Sequence, residues 1–544
     1  MNAPHSIRDP LAEGLAAGWK AHDASTFTRD MHLEADVAIV GTGAGGGVAA
    51  EILANAGLQV VMIEEGPLAS SKDFRMRESQ AYPQLYQESA ARKTEDKGIN
   101  ILQGRCVGGS TTVNWTSSFR TPPQTLEFWR RTFGLEELTV EELAPWFAMM
   151  ERRLNIETWT VAPNENNDIL RRGATRLGIP TATMRRNVNG CWNLGYCGEG
   201  CPTNAKQSML VTTIPAALSR GAVLVSRARA QRLTVDGARV SALECAALDA
   251  RGLRPTPYKV TVTARHFVLA AGAIGTPALL LRSRVPDPHG RIGRRTFLHP
   301  TCISAATMPE RVDGFAGAPQ SVYCDHFLQT HAIDGPIGYK LEVPPLHPLL
   351  TATTLQGYGE AHAQLMARMP YTQVIIALQR DGFHERSQGG EVSLRGDGSP
   401  LLAYPLTEFV WDGIRRAYLT MAEIQFAAGA TKVLPVHEDA VPYDTWPAAR
   451  EAIQRLEMRV LKAHVVSAHV MGGCPMGSDE KRSVVNADGR YHRLENLSVF
   501  DGSVFPTSIG ANPQLSIYGL TARQASRLAT RLTGRPAAPL SPTS

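Results

Sequence analysis

Long apolar runs are missing from this sequence. No stretch reaches the roughly 18 consecutive apolar residues that a membrane-spanning helix needs, so no transmembrane segment is expected. The amino terminus, MNAPHSIRDPLAEGLAAGWKAHDASTFTRD, has no apolar core behind a basic start, which argues against a secretory signal. Its first part suits a short amphipathic helix, and peripheral membrane contact stays open there. Runs of one charge sign are absent too. The net charge of +5 comes from 56 basic and 51 acidic side chains. Without a basic stripe, no nucleic-acid partner is expected. Cysteine is sparse, at eight in 544 residues, which excludes a disulfide-built scaffold. What remains is an ordinary globular composition, long enough for two or three domains. The expected location is cytoplasmic or peripherally membrane-associated, with export alongside a signal-bearing partner left open.

What is present begins at residue 36. Residues 36–40 are a short apolar run of the kind that makes a buried parallel strand. They lead into Gly41-Thr42-Gly43-Ala44-Gly45-Gly46-Gly47, then an alanine-rich helical stretch at 48–56 that stops at Gly57, then a second strand at 59–63. Gly41, Gly43 and Gly46 give the G-x-G-x-x-G spacing between strand and helix. The first allows a tight turn, the second lets backbone approach a pyrophosphate, and the third permits close helix–strand packing. Glu64, at the end of the second strand, is placed to accept hydrogen bonds from a ribose. The plainer view, glycines ending a strand beside a solvated glutamate, does not account for the joint spacing. By itself the motif suits FAD and NAD equally.

A second glycine-rich stretch, Gly104-Arg105-Cys106-Val107-Gly108-Gly109-Ser110-Thr111-Thr112-Val113-Asn114, has the small residues that a flat ring needs to approach backbone N–H groups. It resembles the first signature of the glucose–methanol–choline (GMC) oxidoreductases, whose corresponding loop lies against the flavin. Residues 272–283 resemble the family's second signature, departing at Arg284 where glycine is usual. Ala468-His469-Val470-Met471-Gly472-Gly473-Cys474-Pro475-Met476-Gly477 is similar to its H-x-x-G-x-C-x-M-G pattern, and Asp501-Gly502-Ser503 and Gly510-Ala511-Asn512-Pro513 follow. These ordered signatures span residues 41 to 513.

The resemblance implies an α/β chain with a Rossmann-like FAD-binding domain interleaved with an α+β substrate domain built on an antiparallel sheet. It implies FAD held by Gly41, Gly43, Gly46, Glu64, Gly108, Gly109, Ser110, Asn114, Asp501 and Gly502, with backbone at Ala230 gripping the adenine. It also implies catalysis by His469 and Asn512. Alcohol oxidation must remove a hydroxyl proton, for which histidine is the natural base. Asn512 cannot titrate and would hold the alcohol oxygen. His464 lacks the motif spacing and is expected to be structural. The branch most resembled is the bacterial long-chain alcohol dehydrogenases and oxidases. The expected reaction is therefore oxidation of a long-chain or hydrophobic primary alcohol to the aldehyde, by hydride transfer to flavin N5. A sterol or sugar-alcohol substrate and a non-catalytic flavoprotein are the alternatives, while the loop at 108–114 disfavours an NAD-dependent dehydrogenase. Oxygen, a quinone or a cytochrome as electron acceptor, and a small partner subunit, stay open.

Cys191, Cys197 and Cys201 fall within eleven residues. Zinc would want a fourth ligand, haem c would want C-x-x-C-H, and a local disulfide would want export. The spacing and the trailing Pro202 are similar to the three-cysteine [3Fe–4S] site of flavin-dependent sugar dehydrogenases, so these thiols are candidate iron–sulfur ligands. A thiol-rich structural loop is the alternative.

Elsewhere, helical periodicity is expected over 122–160 around Trp129, Trp146 and Phe147, strands over 222–270, and a closing helix over about 516–532. The expected division is an extension at 1–34, an FAD-binding domain from 35–120, 205–310 and 455–535, and a substrate-binding cap from 121–204 and 311–454.

Overall fold

The computed structural model describes residues 7–542. The apolar run at 36–40 is the end of β2 (Met31–Val40), whose last four residues are fully buried. With β1 (Lys20–Asp23), β3 (Val60–Ile63), β4 (Val223–Ser226), β5 (Ala228–Asp236), β6 (Arg239–Leu248) and β7 (Pro255–Leu269) it builds a sheet of order β1-β4-β3-β2-β7-β6-β5, with Leu497–Val499 also pairing β7. The strands from β1 to β7 in that order run parallel, and β7, β6 and β5 run antiparallel. Strands buried on both faces read as continuous apolar segments, which is why 36–40 and 59–63 stand out. Ahead of the sheet, α1 (Pro10–Ala16) starts with Asp9 capping Ala12 N–H and Pro10 at its first position. The following β1 pairs with β4, so part of the stretch before residue 35 is an edge strand of this sheet.

The glycine-rich turn leads from β2 into α2 (Ala44–Asn55). The second signature forms α3 (Gly272–Ser283), which ends on Arg284 at φ +52°. Glycine enters that left-handed C-cap conformation freely, and a side chain there costs about 1 kcal/mol. Arg284 thus keeps the helix stop that a glycine normally supplies.

Burial in β7 gives one group a measurable pH signature. His266 lies in the core with Nε2 3.0 Å from Ser498 Oγ, and burial pushes its imidazole down from 6.5 to about 3. Between those values the unfolded chain binds a proton that the folded chain does not, so this contribution to stability is lost as pH falls from 6.5 towards 3. In urea unfolding, the stability advantage of the natural protein over His266→Gln should shrink by up to about 1.4 kcal/mol per pH unit in that window. Parallel pH profiles would contradict the burial argument.

A second sheet stands beside the first. Its core is β8 (Thr301–Thr307), β9 (Tyr339–Glu342), β10 (Thr372–Gln379), β11 (Lys432–Pro435) and β12 (Val465–Ser467). β8 and β10 are antiparallel, with Thr301 opposite Leu378, Ile303 opposite Ile376 and Ala305 opposite Val374. Strand alternation sorts their side chains. Ile303, Ala305, Val374, Ile376 and Leu378 face one way, with Leu346 and Val436, beneath α4 (Pro348–Thr354). Cys302, Ala306, Ile375 and Ala377 face the other way, in the cluster that holds α5 (Glu408–Ala427). Ile99–Ile101 pairs in parallel with β12 in this same sheet. The closing helix is α6 (Gln514–Thr533), packed along α2 and along Val140–Arg153. Among the described residues no helix is long and apolar enough to cross a membrane.

Candidate active site

A cavity of about 790 Å³ runs from the carboxyl ends of β2 and β3 to the apolar face of β8 and β10. This position follows from topology, because an open parallel sheet leaves its crevice at the strand ends. Gly41 and Gly43 line the near end with Ala44 and Gly45 of α2. Gly43 caps α2 without a side-chain hydrogen bond, leaving the positive end of a twelve-residue helix for an anion. Gly46 lies behind, where a Cβ would fall 1.9 Å from Gly41 O. Gly109 comes from the second loop, and a Cβ on it would stand 2.8 Å from Gly43 Cα. The two loops therefore meet at glycine on both sides.

Glu64 also lines the cavity. Its Oε2 accepts Thr42 N–H at 3.1 Å and Thr42 O–H at 2.7 Å, and Oε1 accepts Gly66 N–H at 2.9 Å. Burial raises its carboxyl above the usual range. Gly108 N–H donates to the same Thr42 hydroxyl at 3.0 Å, so one side chain inside the first glycine motif ties both loops to Glu64. Ser110 receives Gly104 N–H at 2.9 Å. Asn114 donates to Gln514 Oε1 at 2.7 Å. Ala230 lines the cavity, with its carbonyl held by Arg282 at 3.1 Å. Asp501 and Gly502 close this end, with Asp501 Oδ2 accepting Gly272 N–H at 2.8 Å and Thr276 O–H at 2.6 Å.

His469 and Asn512 meet at the boundary with the apolar lobe. His469 stands just beyond β12 and Asn512 just before α6, and their Nε2 and Nδ2 atoms are 3.5 Å apart. Two groups that carry no local sequence signal complete the cluster. His299, immediately ahead of β8, places Nδ1 3.2 Å from His469 Nδ1, and its Nε2 accepts Gly510 N–H at 3.2 Å. Glu342, fully buried on β9, accepts Asn512 Nδ2 at 3.1 Å and Gln320 Nε2 at 2.6 Å. Asn512 Oδ1 and Glu342 Oε1 are buried with no hydrogen-bond partner among the described residues, which marks polar capacity held for something else. Burial and then the Lys340 charge push His469 down to about 3, and burial holds His299 well below its usual value. Both rings are neutral at ordinary pH. Lys340 itself is pushed down to about 8 by burial, its Nζ 3.1 Å from the centre of the Phe119 ring. His464 bonds Glu438 Oε1 at 2.6 Å, away from this cluster.

The cysteine trio does not behave as expected for an iron–sulfur site. Among the described residues no group of three or more His, Cys, Asp or Glu side chains is arranged to hold a metal ion. Each thiol has its own neighbour instead. Cys191 accepts Asn193 N–H at 3.4 Å, Cys197 accepts Arg186 Nη2 at 3.7 Å, and Cys201 lies 3.4 Å from Thr203 Oγ1. All eight cysteines are free thiols.

A parallel sheet with a glycine-lined crevice at its carboxyl edge, opening onto an imidazole and a carboxamide, defines a dinucleotide-dependent oxidoreductase. The GMC oxidoreductase family matches this chain over residues 82–301 and 386–521, and the chain belongs to that family. It is 31% identical to an uncharacterised GMC-type oxidoreductase of Mycobacterium tuberculosis, over 97% of this chain and 82% of that one. It is 27% identical to a long-chain-alcohol oxidase of Arabidopsis thaliana, over 93% of this chain and 68% of that one. Among solved structures, pyridoxine 4-oxidase from Mesorbium loti superposes with TM-score 0.65 at 18% identity, covering 90% of this chain and 98% of that one. Formate oxidase does so with TM-score 0.67 at 15% identity, covering 93% and 100%. The protein is an FAD-binding oxidoreductase acting on CH–OH groups. Its glycine-lined crevice, uncapped α2 and buried Glu64 fit the pyrophosphate and ribose of that cofactor.

Proposed function

We propose that this chain oxidises a hydrophobic, long-chain primary alcohol to the aldehyde. The observation that carries the reading is the pairing of His469 and Asn512, 3.5 Å apart, where the cofactor crevice meets an apolar lobe. FAD, when bound, supplies the hydride acceptor at N5. Gly41, Gly43, Glu64, Gly109, Asp501 and Gly502 hold it from the near end. His469 and Asn512 hold the hydroxyl, and the unpartnered Asn512 Oδ1 is an acceptor free for it.

One proton is shared between His299 and His469 across their 3.2 Å contact. With that proton on His299 Nδ1, as the Gly510 N–H favours, His469 presents Nε2–H to the alcohol oxygen. In the other pair of neutral tautomers the contact proton is on His469 Nδ1, the His469 Nε2 proton has left to solvent and His299 has taken one from solvent at Nε2. His469 Nε2 is then bare and takes the hydroxyl proton, at a cost of about 1–3 kcal/mol for the lost Gly510 hydrogen bond. The first form binds the alcohol and the second acts as its base.

Ile303, Ile376 and Leu378 in the lobe favour an alkyl chain over a sugar, whose hydroxyls would each need a polar partner there. The likeness to plant long-chain-alcohol oxidases supports the same choice. Anaerobic titration of the yellow holoprotein with dodecanol should bleach the flavin stoichiometrically. No bleaching by any alcohol in a panel from ethanol to hexadecanol, sterols included, would overturn the proposal.

A further inference from the structure

The apolar lobe has a direction and a length. His299 touches His469 and stands two residues before Thr301, and Val466 of β12 pairs with Thr301. The hydroxyl-binding end therefore adjoins the first residue of β8. From there the paired residues Thr301 and Leu378, then Ile303 and Ile376, then Ala305 and Val374 line the cavity in succession. The lining on these strands ends at that third pair. The residues between them point the opposite way, into the core under α5. Leu350, Thr351 and Leu355 roof the row, and Val436 flanks Ile303. Strand rise of about 3.4 Å per residue sets Thr301 and Ala305 about 14 Å apart, the reach of an extended chain of roughly eleven carbons.

We infer that β8 and β10 act as a ruler for the substrate, with Ala305 and Val374 setting its upper length. The inference rests on the alcohol-oxidising reading above and adds the chain length and the residues that determine it. Ala305 is the one small aliphatic side chain among the rungs, so the end of the row is where added bulk shortens the lobe while leaving the hydroxyl end untouched.

The test measures kcat/KM of the holoenzyme for primary alcohols from butanol to hexadecanol. For the unmodified enzyme it should rise about fourfold per methylene and level off near eleven carbons. In Ala305→Phe the dodecanol-to-hexanol ratio should fall about tenfold or more, as excluded methylenes cost in an apolar pocket. Val374→Phe, on the facing strand, should give the same shift and keeps the test decisive if Ala305→Phe fails to fold. Ile303→Phe should move the limit still shorter, so that the hexanol-to-butanol ratio falls as well. Flavin content and melting temperature, measured on each variant, separate misfolding from a changed limit. Unchanged length profiles in Ala305→Phe and Val374→Phe, or a limit in Ile303→Phe no shorter than theirs, would overturn the ruler alone. Bleaching of the unmodified enzyme by no alcohol would overturn the functional reading with it.

Discussion

His469→Ala should retain its FAD and reduce it at least about 100-fold more slowly with alcohol, the usual loss when a general base is removed. Retention follows from the layout. The near end of the crevice is formed by Gly41, Gly43, Glu64 and Asp501, and the Glu64 and Asp501 carboxylates bond Thr42, Gly66, Gly272, Thr276 and Ser503 rather than His469. The loss of rate follows from the far end. His469 Nε2 is the imidazole nitrogen that faces Asn512, while the Nε2 of the neighbouring His299 is occupied by Gly510 N–H. With Nε2 so occupied, His299 carries its own proton on Nδ1, the atom uncovered when the His469 ring is gone, and offers no bare nitrogen in its place. Rapid-mixing measurement of flavin bleaching reads the effect directly, and a natural rate in this variant would remove His469 from the chemistry.

Gly46→Ala should fail in a different manner, with flavin content close to zero and stability reduced by about 3 kcal/mol or more. An added Cβ there stands 1.9 Å from Gly41 O and 3.3 Å from Ala270 Cβ. Neither neighbour can yield cheaply, because Gly41 is the turn itself and Ala270, just after β7, is tied to it by its N–H bond to Val40 O. Relief would require α2 to back away from β2, taking its positive end from the pyrophosphate position. Gly57→Ala is the control. Gly57 has φ +82° but nothing within 4 Å of an added Cβ, so it should cost only about 1 kcal/mol and keep its flavin. Equal flavin content in the two purified variants would show that the close approach at Gly46 is not needed for binding.

Some of this architecture was legible because its signals are local. Residues 36–64 encode strand, glycine turn, helix and strand in one continuous stretch, and the structure follows it closely from Met31–Val40 through Val60–Ile63. The long helix Gln514–Thr533 and the strands Arg239–Leu248 and Pro255–Leu269 were visible for the same reason. The cluster around His469 was only half visible. His299, Lys340 and Glu342 arrive through strand pairing between distant parts of the chain, and no spacing links them to 469 or 512. Lys20–Asp23 was missed as an edge strand because one exposed and three half-buried residues carry no periodicity. For the cysteines, sequence proximity alone suggested a shared ligand, and among the described residues no metal-holding group of three or more side chains supports it.

The order of strands in the parallel sheet bears on how the protein is made. β2 and β3 emerge early, but β4 and β7 come after residue 220, and Leu497–Val499 with Asp501 and Asn512 come last. A growing polypeptide therefore leaves the ribosome with the glycine turn at 41–47 translated and the wall that carries Asp501 and Asn512 still to come. On the proposed reading of the crevice, a product stopped near residue 490 would lack Leu497–Val499, Asp501 and Asn512 and so present only half a clasp.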